Sequence, residues 1–168
     1  MKKIIFILLI SLSANLFSQD TTITNQEHAF DFWVGNWSLE WTGKDGEIIK
    51  GKNIVTKILD AKVVKENFED PSTGFKGTSI SVYSPIKGTW HQAWADNQGG
   101  YYNFVGEIDG DKRIFKTLPK KVNDNVVIQR MVFHNITANK FTWDWEMSKD
   151  GGKTWKLNWQ INYTKVPE

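Results

Sequence analysis

Three side chains in this sequence can move protons or recognise charge from positions that a β-strand would turn inward: Glu66, Arg130 and His134. Glu66 stands between Val64 and Phe68, and side chains two apart share one face of a strand. Arg130 and His134 share parity with Val126, Ile128, Val132 and Ile136, while Gln92 and Asp96 share it with Trp90 and Trp94. A charge taken out of water is costly unless it is paired. Glu66 and Arg130 are therefore expected to pair across an enclosed space. Arg130 is one of only two arginines among 21 basic residues, which points to a need for a planar donor fork. Burial would raise the Glu66 carboxyl toward neutrality, and Glu66, His134 and Arg130 together suit acid–base chemistry such as dehydration, isomerisation or glycan cleavage. The leading reading, to which that enzyme is the alternative, is a binding module. There Glu66, Gln92 and Arg130 orient the polar end of a ligand, while Trp90, Trp94, Trp143 and Trp145 supply contact area. The residues alone leave enzyme and binder open.

Other chemistries find no support. The chain has no cysteine, which removes thiol nucleophiles, disulfides and thiolate metal sites. His28, His91 and His134 are far apart and fit no metal-ligand spacing, so neither metal nor cofactor is expected. A glycosidase pair of Glu66 with Asp96 or Glu146 is conceivable, but Glu146 has the parity of a wet face and no spacing fixes a carboxylate separation. Asp96 sits beside the Gly99-Gly100 turn, where capping that turn is the plainer role.

The elements that must position these residues are strands. Phe141, Trp143, Trp145 and Met147 alternate with polar residues, and so do Trp155, Leu157, Trp159, Ile161 and Tyr163. Between the two runs lies 148–154, whose Gly151 and Gly152 can turn the chain, giving a β-hairpin with one dry face. Before it, runs at 47–59, 62–68, 75–83, 89–95, 101–108, 112–118 and 126–136 are separated by turn residues at nearly every boundary. A first strand carries Trp37, Leu39 and Trp41, preceded by a short helix over 25–32 with Asn25 as its N-cap. About ten short strands in sequence predict an all-β fold, an antiparallel up-and-down β-barrel, closed because closure removes exposed edges.

Nine tryptophans in 168 residues fit either an aromatic core or a pocket that stacks a sugar or another flat ligand. Residues 1–18 read as a signal peptide: Lys2 and Lys3, an apolar run over 4–10, then a more polar stretch. That run is too short to span a bilayer. Residues 19–168 are expected to be one domain, periplasmic or secreted. Losing Lys2 and Lys3 balances the 21 basic residues of the chain against its 19 acidic ones, so nothing steers nucleic acid. A small molecule or oligosaccharide is the expected partner, and oligomeric state is not legible.

Three resemblances add to this reading. Ser148, Asp150, Gly152, Thr154 and Trp155 resemble the Asp-box hairpin best known from sialidase-type propellers; it occurs once, so no propeller is implied. Gly35-x-Trp37 opening a β chain is similar to the lipocalin (calycin) signature. FDFWVGNW, WHQAWADNQGG and SKDGGKTW together resemble a family of small exported lipocalin-like domains of largely unknown function. That resemblance covers nearly the whole mature chain and implies the barrel, but no catalytic residues. In calycins a late basic residue packs over the Gly-x-Trp tryptophan, which would place Arg130 on Trp37 as an alternative to ligand contact. The topology also resembles ten-stranded nitrobindin-like barrels, whose haem histidine lies near the last strand; 158–164 contains no histidine, which leaves His134 the remote candidate.

Overall fold

The computed structural model describes residues 26–167. The expected signal peptide at 1–18 and the Asn25 cap lie outside the described residues. Of the helix expected over 25–32, the described residues show helical backbone at Gln26 and Glu27, then turn, then a 3-10 turn at Asp31–Trp33.

Strands β1 (Gly35–Thr42), β2 (Ile48–Ile58), β3 (Val63–Asp70), β4 (Phe75–Ser84) and β5 (Thr89–Asp96) follow as an antiparallel meander. It continues through β6 (Tyr101–Asp109) and β7 (Lys112–Lys116). A short β8 (Lys120–Val122), absent from the sequence reading, pairs only with β9 (Asn125–His134). β10 (Lys140–Ser148) and β11 (Lys156–Lys165) complete the chain. β7 pairs with β9, β9 with β10, and β11 with β1, so ten antiparallel strands close into a barrel and no long edge is left. No helix among the described residues is long and apolar enough to cross a membrane.

Alternation carries the fold in most strands. Trp37, Leu39 and Trp41 are buried while Asn36, Ser38 and Glu40 are exposed. One barrel end is closed by residues 26–34. Phe30 stacks on Phe115 at 4.3 Å between centroids, and Trp33 meets Phe133 edge-on at 5.1 Å. The Trp90 indole N–H donates to the Gln26 carbonyl at 2.7 Å, and that of Trp37 to the Trp33 carbonyl at 2.8 Å. Buried indole N–H groups need such partners, and these bonds pin the closing segment to the wall.

Two parity expectations are corrected. On β9 the inward residues are Met131 and Phe133, paired across the sheet with inward Phe115, Trp143 and Trp145. Arg130 and His134 therefore stand on the outer face. Ile128 and Val132 are buried there too. Cβ atoms at Gly151 and Gly152, had they existed, would lie within 4 Å of Val126 and Ile128, because the β10–β11 loop folds over the start of β9. On β11, Trp145 faces Trp159 but Glu146 faces Leu157, a β-bulge that leaves Asn158 unmatched. The extra residue flips parity, so Trp155 and Leu157 leave the dry face while Trp159, Ile161 and Tyr163 keep it.

The 148–154 turn is held by its own side chains. Asp150 Oδ1 accepts the backbone N–H groups of Lys153 and Thr154, each at 3.0 Å, and Ser148 Oγ accepts that of Gly152 at 2.8 Å. The Thr154 hydroxyl donates to Asp150 Oδ2 at 2.6 Å. These bonds hold the Asp150 carboxyl far below the usual carboxylate range.

Candidate functional site

The barrel lumen divides into an apolar closed end, a polar layer, and a cavity opening away from the closing segment. Glu66, turned inward by β3 between Val64 and Phe68, lies in the polar layer and is 5 % exposed. Its Oε1 accepts from Asn53 Nδ2 on β2 at 2.7 Å, and its Oε2 from Ser79 Oγ on β4 at 2.7 Å. Asn53 Nδ2 also reaches the Tyr163 hydroxyl of β11 at 3.3 Å. Gln92 Nε2 on β5 donates to Ser79 Oγ at 3.2 Å and Ser81 Oγ at 3.0 Å. Asn53 Oδ1 and Gln92 Oε1 are buried without a partner among the described residues. The layer thus holds more acceptors than donors.

Burial pushes the Glu66 carboxyl up to about 7, against the pull of its hydrogen bonds from Ser79 and Asn53. Burial, with the adjacent Glu66, pushes the Tyr163 phenol well above its ordinary range. Among the described residues no basic side chain lines this space.

The cavity encloses about 290 Å³. Its walls are aromatic: Trp94, Trp143, Trp145 and Trp159, with Tyr102 and Phe68 among the smaller rings. Trp143 and Trp145 lie parallel, at 5°, while three other neighbouring pairs stand nearly perpendicular. Trp143 and Trp159 meet at 87°, Phe68 and Trp159 at 85°, and Tyr102 and Trp145 at 79°. Gly77 makes room for Trp94, whose Cζ2 lies 2.0 Å from where a Cβ would sit. Gly51 does the same for Trp41, which backs Trp159 at 5.3 Å. At the mouth, Asp96 Oδ1 accepts from the N–H groups of Gln98 and Gly100, and its Oδ2 from the Trp94 indole at 3.1 Å. These bonds hold the Asp96 carboxyl below its usual range against the opposing effect of its partial burial. The carboxylate caps the 97–100 turn and orients one wall of the cavity at once.

The structure brings together four of the residues expected at a site: Glu66, Trp94, Trp143 and Trp145 line the cavity. Gln92 lies behind it, reaching Glu66 through Ser79. Trp90 is corrected to the closed end, in contact with Phe30 at 5.1 Å. Arg130 does not pair with Glu66. Its Nε donates to Glu146 Oε2 at 2.6 Å on the outer face, and its guanidinium lies 3.7 Å from the centroid of Trp155. Nor does it cover Trp37, where the cation is Lys165 of the last strand, 5.6 Å from the ring centroid. His134 is outside as well, with its Nε2 2.9 Å from Asp144 Oδ2. Among the described residues no three His, Asp or Glu side chains converge as a metal site.

Sequence reasoning missed Asn53, Ser79, Tyr163, Tyr102 and Trp159 as site residues. β4 shows why: it turns Ser79 and Ser81 inward and leaves Ile80 and Val82 exposed, the reverse of what hydropathy suggests. The usable signal was Phe75, Gly77 and Tyr83, which share the serines' parity.

The sequence matches no protein-family model, and no curated protein is significantly similar to it. Fold and geometry define the class: a ten-stranded antiparallel barrel with an aromatic cavity built around one buried, hydrogen-bonded carboxyl.

Proposed function

We propose that this chain is an exported, lipocalin-like binding barrel whose cavity takes a small, partly apolar or sugar-like ligand. One observation carries the reading: a cavity of about 290 Å³ walled by four tryptophans closes on a buried carboxyl, Glu66, with the Tyr163 phenol beside it. Sites for small ligands are commonly apolar hollows with a few convergent polar groups that fix orientation. Gly35-x-Trp37 at the first strand and Lys165 above Trp37 support the lipocalin-like assignment. Trp94, Trp143 and Trp145 contribute contact area, and Glu66 meets the polar end of the ligand. Arg130 and Trp90 have no part in it.

A second reading, acid–base catalysis on a bound molecule, is favoured by the Glu66 carboxyl standing near 7, where it can both give and take a proton. Its geometry is thin. His134 and Arg130 face outward, and Asp96 is the one other carboxylate along the cavity.

Native mass spectrometry of the protein purified from its own host tests both export and binding. The expected spectrum shows a chain beginning near Gln19 with a non-covalent adduct that leaves on activation. A bare chain, together with no response to aromatic or sugar probes, counts against binding; an intact N-terminus counts against export. Glu66→Gln separates the two readings, since a catalyst loses turnover and a binder only changes affinity.

A further inference from the structure

We infer that the cavity selects a cation: an ammonium group carried on an apolar or aromatic body of about ten heavy atoms. This rests on the binding reading above and gives its ligand a charge class. Three independent features converge. First, the ionisable side chains lining the cavity are the carboxyls of Glu66 and Asp96 and the phenols of Tyr102 and Tyr163, with no Lys, Arg or His. An anionic ligand would meet like charge with no counter-ion, and attraction between unlike charges strengthens away from water. Second, ring faces present negative quadrupole density. The near-perpendicular pairs Trp143–Trp159, Phe68–Trp159 and Tyr102–Trp145 therefore aim faces and edges along several directions, as a cage around a cation requires. Third, the polar layer turns the Glu66 carboxyl and the Tyr163 phenol oxygen, both able to accept, toward the cavity, and an ammonium brings donors and nothing else.

Glu66 is the side chain that this ligand completes. It is buried and hydrogen-bonded by two neutral donors, yet among the described residues it has no cationic partner, an arrangement that natural proteins seldom leave in place. The ammonium supplies the missing charge, and the carboxyl is ionised when it binds. Asp96, half-buried at the mouth, draws the same sign of charge inward. Around Glu66, β2 and β4 contribute the uncharged Asn53 and Ser79, β5 contributes Gln92 and Asp96, and β11 contributes Tyr163. Asp96 is shifted down and Tyr163 up, so neither changes charge near neutrality. A change in affinity between about pH 6 and pH 8 therefore reports Glu66.

Three probes of matched shape test this: 2-phenylethylammonium, 2-phenylethanol and 3-phenylpropanoate, titrated into the wild-type protein by calorimetry and by tryptophan fluorescence. The expected order is ammonium first, alcohol weaker by about tenfold or more, and carboxylate without measurable binding. Ammonium affinity should fall on acidification below about pH 7, while that of the alcohol stays level. In Glu66→Gln the ammonium loses its advantage and the alcohol binds as before. If the alcohol matches the ammonium, or the carboxylate binds best, cation selection is overturned and the binding barrel stands. If none of the three binds at about 10 mM, cation selection is overturned, and the binding barrel falls with it only if sugar probes also give no response and the native mass spectrum shows a bare chain. The wild-type comparison needs no variant to fold.

Discussion

Glu66→Gln isolates the consequence of burying a carboxyl without a cation. Burial raises this group from 4.5 to about 7, so the folded protein holds the proton more tightly than the unfolded chain does. Below about pH 4.5 both states are protonated and the group adds nothing to the pH dependence of stability. Between the two values the unfolded chain ionises first, and stability falls as pH rises. Above about pH 7 both states are ionised and the whole difference opposes folding: about 3 kcal/mol, at ~1.36 kcal/mol for each pH unit. Glutamine keeps the shape, carries no charge, and can still accept a hydrogen bond from Asn53 or Ser79. Urea unfolding of both proteins from about pH 4.5 to pH 8.5 gives the stability of the variant minus that of the wild type, in which all other ionisable groups cancel. The variant should be the less stable at the acid end, where one of its hydrogen bonds is mismatched. It should then gain on the wild type through pH 5 to 7 and level off beyond. A difference that stays flat, or runs the other way, refutes the claim that Glu66 is buried without a counter-charge.

Gly77→Ala places a Cβ 2.0 Å from Trp94 Cζ2, so the indole must swing into the cavity; a loss of about 1–3 kcal/mol in urea unfolding is expected, along with loss of 2-phenylethylammonium binding. Retained binding would show that Trp94 is not part of the wall. Arg130→Met removes the bond to Glu146 and the guanidinium over Trp155, and should cost about 2 kcal/mol. Its affinity for the same probe should match that of the wild type, and a tenfold loss at full folding would return Arg130 to the site. Asp150→Ala should speed amide exchange at Lys153 and Thr154, whose N–H groups the carboxylate accepts. Because the folded value of Asp150 is depressed, its stabilisation is present above the unfolded value and lost as pH falls through the folded one. Exchange at those amides that is the same in both proteins would show the turn is held by other contacts.

The fold was legible because the turn residues are unambiguous. Gly46, Gly74, Gly88, Gly99 and Gly110 all adopt positive φ at the boundaries where the sequence placed them, and strand ends moved by only a residue or two. Glu66 was legible because large apolar residues flank it on both sides along β3, so one face had to go in. β9 was not legible in the same way. Val127, Met131 and Phe133 make one of its faces apolar, and Val126, Ile128 and Val132 the other, so alternation along the strand carries no direction. Met131 and Phe133 went inward, and Ile128 found cover under the β10–β11 loop while Val126 stays partly exposed beside it. At β11 the reading failed for a different reason. One unmatched residue, Asn158, reverses parity midway, and a bulge leaves no mark in an alternating sequence.

What finally separates Glu66 from Arg130 is what stands beside each across the sheet, not along the strand. Glu66 belongs to a row running Val55, Glu66, Ser79, Trp94, Tyr102. No cation appears in it, so the carboxyl can stay buried only by taking up a proton or a ligand's charge. Arg130 belongs to a row running Lys116, Arg130, Glu146, Leu157, and Lys116 pairs in turn with Glu107. An arginine that looks stranded among apolar residues in its own strand thus sits in a charged row on the outer wall, beside Lys116 with Glu107 and Glu146 as the two counter-charges, where solvent and Glu146 both reach it. Cross-strand neighbours at 4.5–5.5 Å decide whether a charge is tolerated. Register is set by turns and bulges that lie elsewhere in the chain, so the face taken by an isolated charge is a property of the closed barrel and cannot be read from ten residues around it.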